Sequence, residues 1–377
     1  WAWRDVVSVP AIVRFYLKSA RPFGLYATPL QINPADPALP ISSPPGYAKR
    51  LARDLGLFYT QGMPEDTKAL EKDVLGNVDF MKQAGLIIDE EARFAEYELA
   101  RFQSGFLFLY FSTVDQIGHV MWRAMRGEEG HPAHDPLLDV DFADVYLDLH
   151  RHMDEIVGLA MQYADERTGL IVMSDHGFST WRRSFDLNRW LYENGYLALR
   201  PGIPPTSVEY LQGVDWENTR LYGVGINGLY VNQLGRERGG IVPPGRAKEE
   251  LLAQVSSELE TLIDPGTGRT PVVKVFLNQE LYSGPEAARG PDAQLGFDVG
   301  YRLLDESAIG GMTAAVLSDN TRRWSGDHCQ DYRKVPGVLL ANLPIRGLEP
   351  RLLDLAPSIL ELFGVEAPAE MQGEPVF

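Results

Sequence analysis

The chain holds a single cysteine, Cys329, so an intrachain disulfide and a cysteine-based zinc site are both excluded. No apolar run approaches the ~18–20 residues a membrane helix needs, and no signal peptide is visible. Positive charge is scarce: 35 Lys+Arg stand against 52 Asp+Glu, a formal charge of −17. Such a surface is not built to grip nucleic acid or an anionic bilayer, both of which are polyanions. A phosphate-bearing substrate would need local positive charge, from an Arg or Lys pair or from bound metal. P-loop, Ser-centred nucleophile-elbow and His-Glu-x-x-His patterns are absent, as are internal repeats and low-complexity tracts. The chain opens on Trp1 and not on Met, which reads as a processed or truncated product. Neither compartment nor oligomeric state follows from these features.

What is present is an ordinary globular composition, 45% hydrophobic and 23% charged over 377 residues. That length implies two or three lobes, or one large α/β domain with insertions. Prolines crowd the stretch from Thr28 to Gly46, which predicts extended coil wrapping another surface. Helical spacing begins in Glu90–Phe102. Gly105-Phe-Leu-Phe-Leu-Tyr-Phe111 is apolar without alternation, the pattern of a strand buried on both faces. Phe142, Val145, Tyr146, Leu149, Met153, Ile156, Val157 and Ala160 step by threes and fours, predicting an amphipathic helix. Gly169-Leu-Ile-Val-Met173 follows as a second buried strand, so the order implies a right-handed parallel crossover. Beyond Pro201 glycine and proline thicken, with short strands at Gly228–Val231 and Val272–Phe276. A third long strand falls at Gly337–Ala341, and Leu352–Phe363 reads as a closing helix. The fold class is therefore α/β, with a mostly parallel sheet flanked by helices and an inserted lid lobe. Residues 1–200 form the core, 201–308 the lid and 309–377 the return to the core.

Three groups of metal-capable residues lie beside these strands, where ligands collect in open α/β sheets. Asp115-Gln-Ile-Gly-His119 follows the first, and its i, i+4 spacing lets a carboxylate and an imidazole converge. Ser174-Asp175-His176-Gly177 follows the second, where a turn freed by Gly177 lets adjacent side chains face one site. Gly326-Asp327-His328 precedes the third. Singly, Asp-x-x-x-His is an ordinary surface pair and Asp-His-Gly an ordinary turn. Together they supply hard N and O ligands suited to Zn²⁺, with Mn²⁺ or Fe²⁺ as alternatives.

In that order the motifs resemble the alkaline phosphatase superfamily. The Ser174-Asp-His-Gly-Phe178 form is most similar to its type I phosphodiesterase/nucleotide pyrophosphatase branch. Gly228 to Val242, and the ending Asp354-Leu-Ala-Pro-Ser-Ile-Leu with Met371-Gln-Gly-Glu-Pro, resemble bacterial members. The resemblance implies that Asp115, His119 and His328 hold one metal, and that Asp175 and His176 hold a second. It implies two-metal hydrolysis of a phosphodiester or pyrophosphate bond in a small, nucleotide-like substrate, through a phospho-enzyme. Phosphomonoesterase, phosphomutase and phosphonate hydrolase use the same ligands, and a non-catalytic metal-binding relative is a reading of another class.

The family opens with a strand ending in an Asp ligand, then a helix N-terminus bearing a Thr or Ser nucleophile. No Asp-Gly dipeptide occurs here, and the catalytic nucleophile is not found before Asp115. The nearest stand-in, Thr28, is followed by prolines that forbid the helix. The expectation is the C-terminal portion of a longer enzyme, catalytically crippled alone. Gly223-Val-Gly-Ile-Asn-Gly228 runs into a strand and reads as a turn, not a dinucleotide site. His131 and His134 read as a structural loop, and His150 and His152 as packing or surface residues. Arg182, Arg183 and Arg189 follow the second motif, where contact with a substrate phosphate is the functional alternative, but a solvated face is the preferred reading. Cys329 is expected to point away from His328 if the segment is extended.

Overall fold

A computed structural model describes residues 9–347 and 349–377; the opening at Trp1 lies outside them. The chain divides into two compact units. One comprises the residues up to Glu129, His134–Met173 and Leu339–Phe377; the other comprises Gly130–Ala133 and Ser174–Val338.

The first unit begins with β1 (Ala11–Ile12), β2 (Phe15–Ala20), β3 (Phe23–Ala27) and β4 (Gln31–Ile32). β2 and β3 form an antiparallel hairpin, and β1 pairs antiparallel with β4. Coil follows β4 as the prolines dictate, before α1 (Tyr47–Leu55) and α2 (Thr67–Glu71). α3 (Asn77–Leu99) buries Phe80, Ala84, Ile87, Ile88 and Ala95, a stripe at helical spacing. α4 (Thr113–Met121) carries the first motif, and α5 (Val145–Tyr163) follows. The amphipathic helix expected from Phe142 thus starts three residues later. β5 (Ile171–Met173) pairs antiparallel with β14 (Leu339–Ala341), and α10 (Leu352–Leu362) closes the chain.

The second unit contains β6 (Ser179–Phe185), α6 (Leu187–Glu193), β7 (Leu221–Gly223), β8 (Gly228–Val231), α7 (Arg246–Glu260) and β9 (Val272–Leu277). It continues through α8 (Asn278–Leu281), β10 (Ala293–Phe297), β11 (Gly300–Leu303), α9 (Asp305–Ala308), β12 (Leu317–Asp319) and β13 (Gly326–Asp327). One sheet runs β7-β8-β10-β9, antiparallel throughout. A second is built on β6, with β11 parallel to it and β12 and β13 antiparallel. A single hydrophobic core, including Phe185, Leu221, Val255, Val275 and Phe297, fills this unit. The Gly223–Gly228 segment is a turn between β7 and β8, with Gly225 and Asn227 at positive φ.

The mixed α/β class with several sheets is what forms. Pairing departs from the expectation: among the described strands only β6 and β11 are parallel. The run at 106–111 forms no strand, and Phe106, Phe108 and Tyr110 are each more than half exposed. The parallel crossover that this strand would have begun is therefore not formed among the described residues. An apolar run records a need for burial, but a strand also needs a ladder partner, which the run itself cannot specify.

Candidate functional site

In the first unit, the i, i+4 spacing of α4 sets the Asp115 Oδ1 3.3 Å from His119 Nε2. His119 is buried, whereas Asp115 is partly open. The Gln116 amide donates to the other Asp115 oxygen at 2.9 Å, fixing the carboxylate. The start of α4 is tied down by acids. Thr113 donates its hydroxyl to Glu65 and also lies 3.3 Å from Glu91, which accepts from the Ser112 backbone and hydroxyl as well. Burial, then the Glu65 charge, pushes Glu91 up to about 7. Burial likewise raises Glu65. The far end of the helix leads to Arg123, buried against Asp139 at 3.2 Å and the Asn77 side-chain Oδ1 at 3.0 Å.

In the second unit, the Ser174–Phe178 turn is held against residues 335–338. The Ser174 backbone N–H donates to Val338 O at 3.0 Å, and the Val338 N–H donates to the Ser174 hydroxyl at 2.8 Å. The Gly177 N–H donates to Val335 O at 2.8 Å. Gly177 is required by close approach: a Cβ there would lie 2.3 Å from Pro336 O. Within this turn Asp175 Oδ2 lies 3.5 Å from His176 Nε2. The His176 Nδ1 faces the carbonyl oxygen of Gly177 at 2.9 Å, an arrangement that puts the proton on Nδ1 and leaves Nε2 as a lone-pair donor. His328 stacks on His176 with ring centroids 3.6 Å apart, and Phe178 flanks both rings.

The β13–β6 register, Asp327 opposite Ser179, delivers His328 to this place. Asp327 is buried and committed. It accepts from the backbone N–H groups of His328 and Cys329 at 2.8 Å each and from the Trp324 indole at 3.1 Å, and it lies 2.7 Å from Arg302. Asp327 therefore positions His328 and was not singled out in that role by the sequence. The usable signal is an acid directly before two residues whose N–H groups leave the strand ladder. The same turn corrects the reading of Cys329. The strand ends at Asp327, and the donor atoms of Asp327, His328 and Cys329 lie within 4.8 Å of one another. Burial, and next the Asp327 charge, pushes the Cys329 thiol up to about 12.

The remaining candidates are structural. His131 uses both ring nitrogens, donating from Nε2 to Trp181 O at 2.8 Å and accepting from the Ala133 N–H at 3.0 Å. His134 Nδ1 bonds Arg123 O, and His150 Nδ1 bonds Tyr146 O. Arg183 is not part of a solvated face: it grips Asp264 through two bonds of 2.9 Å and Asp319 at 2.7 Å. Arg189 pairs with Glu193. Thr28 is buried, exchanging bonds with the Arg14 backbone, and no helix follows it.

A family model described as type I phosphodiesterase / nucleotide pyrophosphatase matches residues 30–328, most of the chain. No curated protein and no solved structure matches.

Proposed function

The chain belongs to the type I phosphodiesterase/nucleotide pyrophosphatase family, a family of hydrolases, and we propose that its role is metal-dependent cleavage of a phosphodiester or pyrophosphate bond. The observation that supports this most directly is His176. A histidine whose Nδ1–H is given to a backbone carbonyl, beside a carboxylate 3.5 Å from the other nitrogen, has the donor arrangement of a metal ligand. The ligand set read from the sequence is kept: Asp115, His119 and His328 for one cation, Asp175 and His176 for a second. Carboxylate and imidazole suit Zn²⁺ first, with Mn²⁺ or Fe²⁺ as alternatives. When bound, such cations polarise a phosphoryl oxygen and lower the pKa of an attacking hydroxyl.

The protein's own residues supply positioning. Asp327 holds the backbone around His328, Ser174 and Gly177 fix the turn carrying Asp175 and His176, and Gln116 orients Asp115. Thr28, closed into a hairpin, is not assigned as nucleophile. Residues 201–308 are proposed as the lobe that selects a small phosphate-ester or nucleotide-like substrate.

The test is metal content after dialysis of the full chain against its His176→Ala and His328→Ala variants. About one or more Zn²⁺ per chain is expected in the parent, as three protein ligands can support. Each variant should lose zinc while keeping its circular dichroism. Retention of zinc by both variants, or a metal-free parent after zinc loading, overturns the reading.

A further inference from the structure

Outside the motif residues, a cavity of 630 Å³ opens between α3, α5 and residues 140–144 of the first unit. That is within the range of small-molecule sites. Its floor is apolar and built of buried side chains, Ile88, Ile117 and Leu149. Its rim is acidic, with Asp89, Asp141, Asp144 and Asp148 against Arg126 and His152. Arg126 is committed to Asp144 at 2.9 Å, and Asp148 is paired with Arg151 at 2.8 Å. His152 directs Nδ1 toward Glu155, and its Nε2 is buried with no hydrogen-bond partner. The charge left over is that of Asp89 and Asp141, which make no ion pair among the described residues.

Gly85 forms part of the wall. It lies inside the 23-residue α3, where glycine is destabilising relative to alanine. Its φ is not positive, and a Cβ placed there would meet nothing within 4 Å. Nothing in the protein's own packing calls for a glycine; its effect is to leave that wall of the cavity open.

We propose that this cavity binds a small organic cation, an ammonium group on an apolar or aromatic body, with the body on the Ile88–Ile117–Leu149 floor and the charge facing Asp89 and Asp141. An inorganic cation fits less well. Among the described residues these aspartates are not among the groups whose donor atoms converge within 4.8 Å, whereas a bare metal needs several converging oxygens. The negative rim over an apolar floor matches instead an amphipathic cation, which satisfies both surfaces at once.

The experiment is calorimetric titration of the full chain with 2-phenylethylammonium, its neutral counterpart 2-phenylethanol, and Ca²⁺. The ammonium should bind at least ~10-fold more tightly than the alcohol, and excess Ca²⁺ should displace it less than twofold at constant ionic strength. Asp141→Asn should weaken binding roughly two- to fivefold, the scale of one exposed charge pair. Gly85→Leu should abolish it without lowering the thermal midpoint, because the side chain enters open space. Equal binding of alcohol and ammonium, displacement by Ca²⁺, or no binding by the parent chain overturns the proposal. If Gly85→Leu is destabilised, Asp141→Asn, which removes no ion pair among the described residues, still decides: undiminished affinity refutes the site.

Discussion

Cys329 and Gly177 show how single residues are constrained around His328 and His176. With its thiol pushed up to about 12 by burial and the Asp327 charge, Cys329 is almost wholly protonated at pH 8. Alkylation of the native chain at that pH should run slower than that of the unfolded chain by on the order of 10³, the ratio of thiolate fractions. Comparable rates would show that the thiol is neither buried nor held beside a carboxylate. At Gly177 the argument is steric. The Pro336 oxygen and Val335 carbonyl carbon that a Cβ would meet are backbone atoms and cannot rotate aside. Gly177→Ala should cost about 1–3 kcal/mol in denaturant titration, the range for overpacking a filled site. It should also reduce zinc retention, since the same turn aims His176. A variant with unchanged stability would mean that the approach of residues 335–336 is not fixed.

Elements bring a different kind of constraint, in which buried acids fasten one segment to another. Glu91 on α3 meets Ser112 and Thr113 at the start of α4, with Glu65 bonded to the same threonine. Its folded pKa of about 7 lies above the ordinary glutamate value of 4.5. Stability from this group is therefore fully present below pH 4.5 and is lost as pH rises through 7. The upper limit of that loss is about 3 kcal/mol, because each tenfold change in proton affinity between the folded and unfolded chain is worth about 1.36 kcal/mol. Glu91→Gln, measured in chelator, should abolish this loss and raise the thermal midpoint at pH 8 while leaving pH 4 nearly unchanged. An identical pH profile in parent and variant would remove Glu91 from the account. Elements also show what the sequence makes legible. Gly228–Val231 is a strand as its composition indicates, because that strand's partners lie nearby in the same sheet. The helix at 352–362 forms despite Pro357, and Gly373 packs against its Leu353 carbonyl. β6 was illegible because Ser-Thr-Trp-Arg-Arg-Ser-Phe looks polar, yet its Arg183 is neutralised by Asp264 and its backbone is paired on both edges. The run at 106–111 failed in the opposite sense, apolar in composition yet part of no strand. Chemistry and spacing in the sequence named the proposed ligands, whereas the roles of Asp327, which holds the His328 and Cys329 N–H groups, and of Glu91, which meets Ser112 and the Thr113 hydroxyl, depend on tertiary contacts that spacing does not specify.

At the scale of the whole molecule, the two units distribute apolar burial unequally. The second unit concentrates its core into one cluster, with Leu221, Leu229, Val231, Val255, Leu259, Val272 and Phe297 fully enclosed. The first unit leaves large side chains in water on several elements: Leu86 on α3, Leu147 and Met161 on α5, Leu340 on β14, and Leu352, Leu353 and Leu362 on α10. Local opening free energy tracks buried apolar contact, so the units should open independently of any single global stability. In amide hydrogen exchange, peptides covering β8, α7, β9 and β10 should exchange at least ~10-fold more slowly than those covering α5, β14 and α10, a difference of about 1.4 kcal/mol or more in opening free energy. Uniform protection across both sets would mean that the exposed apolar surface of the first unit is not a source of local opening. Faster exchange in the second unit would mean that its enclosed cluster is not the most stable part of the chain.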